Sequence, residues 1–174
     1  TLQWRYQLGA TLVEYYDVNP ILVEQCAEDF LILDRLMPKF GLYGLTKAML
    51  LARQGHKKAA AIHFQKFAAR DPFCRHLWRG WAVACRRLGL DAAAMLATAR
   101  HYHLRYPNDG APLLGMAFAW HLLGKPVQAR RSMERVYRWG LRFPQRRPGE
   151  RIGAITIWAE EYLKKSQSRR QDRR

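Results

Sequence analysis

A repeat with a period of 34 to 35 residues runs through this chain, restricting it to architectures built by stacking one small unit on the next. Gly55, Gly89 and Gly124 each close a helix-like stretch: AMLLARQG, AVACRRLG and AFAWHLLG. Five residues after each glycine stands an alanine, at Ala60, Ala94 and Ala129. A proline ends each unit, at Pro72, Pro107 and Pro144, with Pro38 one period before the first. The glycine suits the point where a first helix, A, stops and the chain reverses through a left-handed conformation. The alanine lets the second helix, B, approach helix A closely. The proline cannot continue helix B and punctuates the step to the next unit.

Between these markers the apolar residues recur at helical spacing. Trp78, Trp81, Ala82 and Cys85 form one stripe, and Leu113, Met116, Ala117 and Trp120 form its counterpart. Phe64 and Phe67 continue the pattern on an intervening helix B. No stretch alternates in the manner of a half-exposed strand. The expected fold class is therefore all-α, an α-solenoid of antiparallel helical hairpins.

These residues resemble the tetratricopeptide repeat, a 34-residue helix–turn–helix unit with small residues and aromatics at such offsets. Residues 41–72 match best, through Gly55, Ala60, Phe64 and Pro72. Residues 75–107 match through Trp78, Gly89 and Ala94, with their proline one residue late. Residues 111–144 match through Gly124 and Ala129 and run long before Pro144. A degenerate hairpin over 5–38 has Cys26 in place of the alanine, and Asn19–Pro20 supplies a cap and first-turn proline in place of the glycine turn. Pro148 opens a capping helix over 148–165, and 166–174 is a basic tail expected to be disordered. The expectation is a single domain over 1–165 with three to four repeats and a cap. More loosely, the chain is similar to repeat modules of bacterial envelope polysaccharide and glycan assembly proteins.

Charge narrows the partners. The 174 residues carry 30 Lys and Arg against 14 Asp and Glu, a net charge of +16. Residues 1–38 are acidic, with 2 basic side chains against 6 acidic, and the rest of the chain holds the whole excess. A field of this sign draws anions: an acidic protein surface, nucleic acid or anionic lipid. The composition is 49% hydrophobic and 12% aromatic, which excludes a disordered chain.

Catalysis finds little support. Glu28–Asp29 and Glu160–Glu161 are the close carboxylate pairs, and neighbours on a helix point about 100° apart. Neither a nucleophile elbow nor a phosphate-binding loop is present. His101 and His103 are two apart and face different ways, while His56 and His63 are roughly 10 Å apart along a helix, too far for one ion. Cys74 and His76 have no matching second pair. The expectation is no catalytic site, no cofactor and no metal. Cys26, Cys74 and Cys85 are odd in number and widely spaced, against a disulfide framework and toward a reducing compartment. No apolar run approaches the roughly 20 residues of a membrane span, so a soluble segment is expected. The first residue is Thr1, read as an excised or processed start. The compartment stays open, with the cytoplasmic side favoured by the thiols and a membrane tether through a neighbouring region kept as an option.

The resemblance also implies a binding surface, since helix A residues line the concave face of such arrays. Carried over position by position, the first unit offers Leu42, Leu45, Met49, Ala52 and Arg53. The second offers His76, Arg79, Val83, Arg86 and Arg87, and the third Ala111, Leu114, Phe118, His121 and Leu122. Arginine forks suit carboxylate or phosphate. The expected function is a non-catalytic scaffold whose cationic groove holds an acidic protein segment, with Met49, Leu114 and Phe118 contacting its apolar residues. The lysine and asparagine of the family's carboxylate clamp are absent, Arg79 and Val83 standing there instead. Alternatives are a nucleic-acid-binding repeat protein and a basic face on anionic membrane carried by Arg131, Arg135, Arg138 and Arg142. Head-to-tail self-association through the acidic start and basic end is a further option.

Overall fold

The computed structural model describes residues 42–142, together with Ile32, Leu36, Ala159, Leu163 and Lys164. Among these residues every regular element is an α-helix. The chain forms two compact units, Thr1–Asp91 and Ala92–Arg174. The first holds α1 (Leu42–Arg53), α2 (Lys57–Arg70) and α3 (Arg75–Leu88). The second holds α4 (Ala92–Arg105), α5 (Gly110–Leu122) and α6 (Pro126–Arg142). The helices end close to the marker glycines and prolines, and consecutive helices pack on each other at α1–α2 and α5–α6.

The three period-marking glycines make the turns. Gly55, Gly89 and Gly124 have φ of 83°, 70° and 68°, and no other described residue has a positive φ. A side chain at such a backbone position would cost roughly 1 kcal/mol or more. After each glycine the chain donates back into the helix it has left. The His56 N–H reaches the Leu51 carbonyl at 2.9 Å, Lys125 reaches Trp120 at 2.9 Å, and Leu90 reaches Ala84 at 3.4 Å. These bonds satisfy carbonyls that a helix end would otherwise leave open.

In the first unit α1 packs on both α2 and α3. Gly80 lets α3 come close: a Cβ there would lie 2.9 Å from Leu45 Cδ1. The core is aromatic. Phe64 of α2 stacks on Trp81 with ring centres 5.2 Å apart, and Trp81 lies nearly parallel to Trp78 at 6.2 Å. The Trp78 indole N–H donates to the Pro72 carbonyl at 2.9 Å, and Asp71 Oδ1 accepts from the Phe73 N–H at 3.2 Å. One buried tryptophan thus ties the proline step to the helix that follows it.

In the second unit α5 packs between α4 and α6. Leu113, Leu114 and Ala117 of α5 meet Met133 and Val136 of α6, and Ala159 completes this core. Ala159, Leu163 and Lys164 are helical and belong to the segment expected to cap the array. Asp109 caps α5, its Oδ1 accepting from the Ala111 N–H at 2.9 Å. Beside it, Trp139 donates its indole N–H to the Asn108 carbonyl at 2.7 Å and spreads its ring over Gly110.

Two expectations need correction or stop short. Ala60 and Ala129 are fully buried, but Ala94 is half-buried and its neighbour Met95 fills the interior instead. The second alanine marker is therefore off by one residue, because α4 buries the stripe of Met95, Ala99 and His103. The expected hairpin over 75–107 straddles the boundary between the two units. The hairpin over 5–38 (helical Ile32 and Leu36 apart), most of the cap and the tail over 166–174 lie outside the described residues.

Candidate functional site

The cationic face foreseen in the middle of the chain is carried by α3. Leu77, Trp78, Trp81, Ala84 and Cys85 are buried, so one side of the helix is committed to the core. At 100° per residue the opposite arc holds His76, Arg79, Val83, Arg86 and Arg87. Four of these are exposed and Val83 is half-buried. The helix contains no carboxylate, and Asp71 and Asp91 are the acids flanking it in sequence. Its first turn also lacks the acidic residue that would complement the positive end of a helix dipole, and Arg75 and His76 stand there instead. Arg86 and Arg87 occupy the last turn, where a cation is favourable for the helix itself. The result is a row of guanidinium groups running the length of α3, with an aliphatic patch at Val83 between them. Such a row suits carboxylates, which accept two hydrogen bonds from one guanidinium.

The other expected groove residues are distributed as follows. Met49 and Arg53 lie half-buried on α1, the helix that packs beside α3 in the same unit. Phe118 and His121 belong to α5 in the second unit, Phe118 half-buried against the core and His121 exposed. Leu114 is corrected: it is 0% exposed, in contact with the Met133 and Val136 layer, and fills the core. Ala52 and Ala111 are buried as well. A side chain without accessible surface offers nothing to a partner, so the apolar wall expected at Leu114 is absent.

One polar pair escaped the sequence reading. His103 is buried on α4, and its Nε2 lies 3.1 Å from Arg135 Nη2 of α6. The guanidinium is a donor, so Nε2 accepts and the proton sits on Nδ1, which is buried without a hydrogen-bond partner. Burial first, and the Arg135 charge second, hold the His103 pKa below the ordinary histidine value. The folded ring is therefore neutral near pH 7. Below about pH 6.5 the unfolded chain takes up a proton that the folded ring resists, so stability falls as the pH drops. His103→Gln keeps an acceptor for Arg135 and cannot titrate. The urea midpoint of the native protein is expected to fall further than that of His103→Gln between about pH 7.5 and about pH 5.5. Equal falls in the two proteins would remove His103 from the account.

Cys74 and Cys85 are buried, and burial, reinforced by Asp91, pushes the Cys85 thiol up to about 12. A thiol held protonated is a poor nucleophile. Among the described residues, no cluster of three or more His, Cys, Asp or Glu is placed to hold a metal ion. Nor, among them, is any helix long and apolar enough to cross a membrane.

No protein-family model matches this chain, and no curated protein matches it. Among solved structures it is similar to one titled "MamA RS-1 ArsTM double mutant". The two share 12% sequence identity over 94% of this chain and 96% of that chain, with a TM-score of 0.43. The fold assignment stands on the helix boundaries, the left-handed glycines and the packed hairpins of this chain itself.

Proposed function

We propose that the chain is a non-catalytic protein–protein interaction module of a larger assembly, and that the α3 face binds an acidic protein segment. The observation that carries this reading is the row His76, Arg79, Arg86 and Arg87, exposed on one arc of a helix whose other side is locked into an aromatic core. A fixed backbone holds the guanidinium groups at helical intervals, so little ordering is required of the protein on binding. Met49 and Arg53 of the neighbouring α1 extend the surface within the same unit, and Val83 offers the aliphatic contact within α3.

The test uses the native protein and its Arg79→Glu/Arg86→Glu variant as baits in a nuclease-treated host lysate at moderate salt. Both residues are exposed, so the variant is expected to stay folded, with its melting temperature lowered by roughly a few degrees through the anion placed in the last turn of α3. A discrete protein retained by the native bait should be depleted at least about tenfold on the variant, since hydrogen bonds to charged groups contribute about 1.5–3 kcal/mol each. Undiminished retention on the folded variant would sink the assignment of the face. Loss of every specific partner on nuclease treatment would transfer the reading to nucleic acid.

A further inference from the structure

We infer that the second unit carries a separate interaction surface, formed by the outer sides of α4 and α6, that docks on a phosphate-rich anionic membrane surface. The exposed arc of α6 holds Val127, Arg131, Arg138 and Leu141, with Arg135 at its edge. The exposed arc of α4 holds Arg100, Leu104 and Arg105. The two arcs are neighbours, because His103 of α4 meets Arg135 of α6 at 3.1 Å and Trp139 of α6 is bonded to Asn108, just beyond α4. Leu104, Leu141 and Val127 are 72%, 61% and 52% exposed.

The charge of this surface is nearly one-signed. No acid occurs in α4, and Glu134, the acid of α6, is held by Arg130 at 2.9 Å. Arginines alternating with large exposed aliphatics match the headgroup region of a bilayer, where phosphates lie above hydrocarbon. A nucleic-acid backbone gives those leucines nothing to contact. Base stacking would instead call for exposed aromatic rings, and among the described residues of this face Tyr106 is partly covered by the Arg105 guanidinium and His101 packs edge-on against Tyr102.

This proposal stands apart from the α3 assignment, and the test keeps the two distinguishable. The full chain is sedimented with vesicles of phosphatidylcholine alone and of equal parts phosphatidylcholine and phosphatidylglycerol. Binding is expected only to the anionic vesicles. Arg131→Glu/Arg138→Glu should weaken it at least about tenfold. Arg79→Glu/Arg86→Glu changes the net charge by the same amount on the other unit and should leave binding within about twofold of native. Leu104→Ser/Leu141→Ser, which alters no charge, should weaken it about fivefold or more. Equal losses from the two charge-reversed variants would show that bulk charge alone is responsible and overturn the proposal. Indifference to the leucine substitutions, or no binding to anionic vesicles, would overturn it too.

Discussion

Trp81→Ala should destabilise the first unit by about 3–5 kcal/mol, the range for deleting a large aromatic side chain from a closed core. Trp81 is fully buried and lies between Phe64 of α2 and Trp78 on its own helix, so its loss removes the middle of a stack. The two neighbouring rings cannot close a gap of that size without moving α2 against α3. Two milder substitutions separate packing from hydrogen bonding. The Trp81 indole N–H is buried without a partner, so Trp81→Phe keeps a stacked ring and removes an unsatisfied donor, and it should cost far less than Trp81→Ala. Trp78→Phe breaks the bond to the Pro72 carbonyl and should cost roughly 1 kcal/mol from that loss. Guanidinium unfolding followed by circular dichroism gives the order. If Trp81→Ala unfolds at the native midpoint, the aromatic stack is not the core of the unit.

Gly110→Ala comes next in size, at about 1–3 kcal/mol, and for the opposite reason: one added methyl has nowhere to go. A Cβ on Gly110 would lie 2.3 Å from Trp139 Cε3, well inside contact distance. The ring cannot swing aside freely, since its N–H is bonded to Asn108 at 2.7 Å. Alanine is otherwise the better helix former, by about 1 kcal/mol over glycine. The sign of the effect therefore isolates the contact. Trp139→Ala removes the obstructing ring, so Gly110→Ala made in that background should become neutral or stabilising. A double-mutant cycle on urea unfolding reads the coupling directly. Additive effects in the cycle would mean that the ring and the glycine do not meet.

The architecture was legible because its markers are backbone necessities. Only glycine sits comfortably at φ near 70°, and a proline must end a helix, so Gly55, Gly89, Gly124 and Pro72 declare themselves without tertiary information. The face of α3 was legible for a related reason. Its arginines and tryptophans are chemically opposite and occupy opposite arcs, leaving one way to bury the helix. On α5 that logic fails. The run GAPLLGMAFAW is apolar on every side, so spacing cannot say which residues face a partner, and Leu114 belongs to the core although its position in the repeat points to the surface. Ala94 failed for a subtler reason: Met95 beside it is also apolar, and packing chose the larger side chain. The pairs His103–Arg135 and Gly110–Trp139 join residues about thirty positions apart, and no periodicity encodes such contacts. The Asp109 cap could have been found, because an aspartate directly before an apolar helical run is a start signal.

The most direct measurement of the central claim is an amide-resolved NMR titration of the isotopically labelled chain with a peptide of alternating glutamate and leucine. The account predicts saturable shifts concentrated at His76, Arg79, Val83, Arg86 and Arg87, with the buried side of α3 unmoved. Small shifts spread evenly over every basic residue of the chain, growing without saturation, would show that the α3 face is a solvated surface like any other and contradict the account.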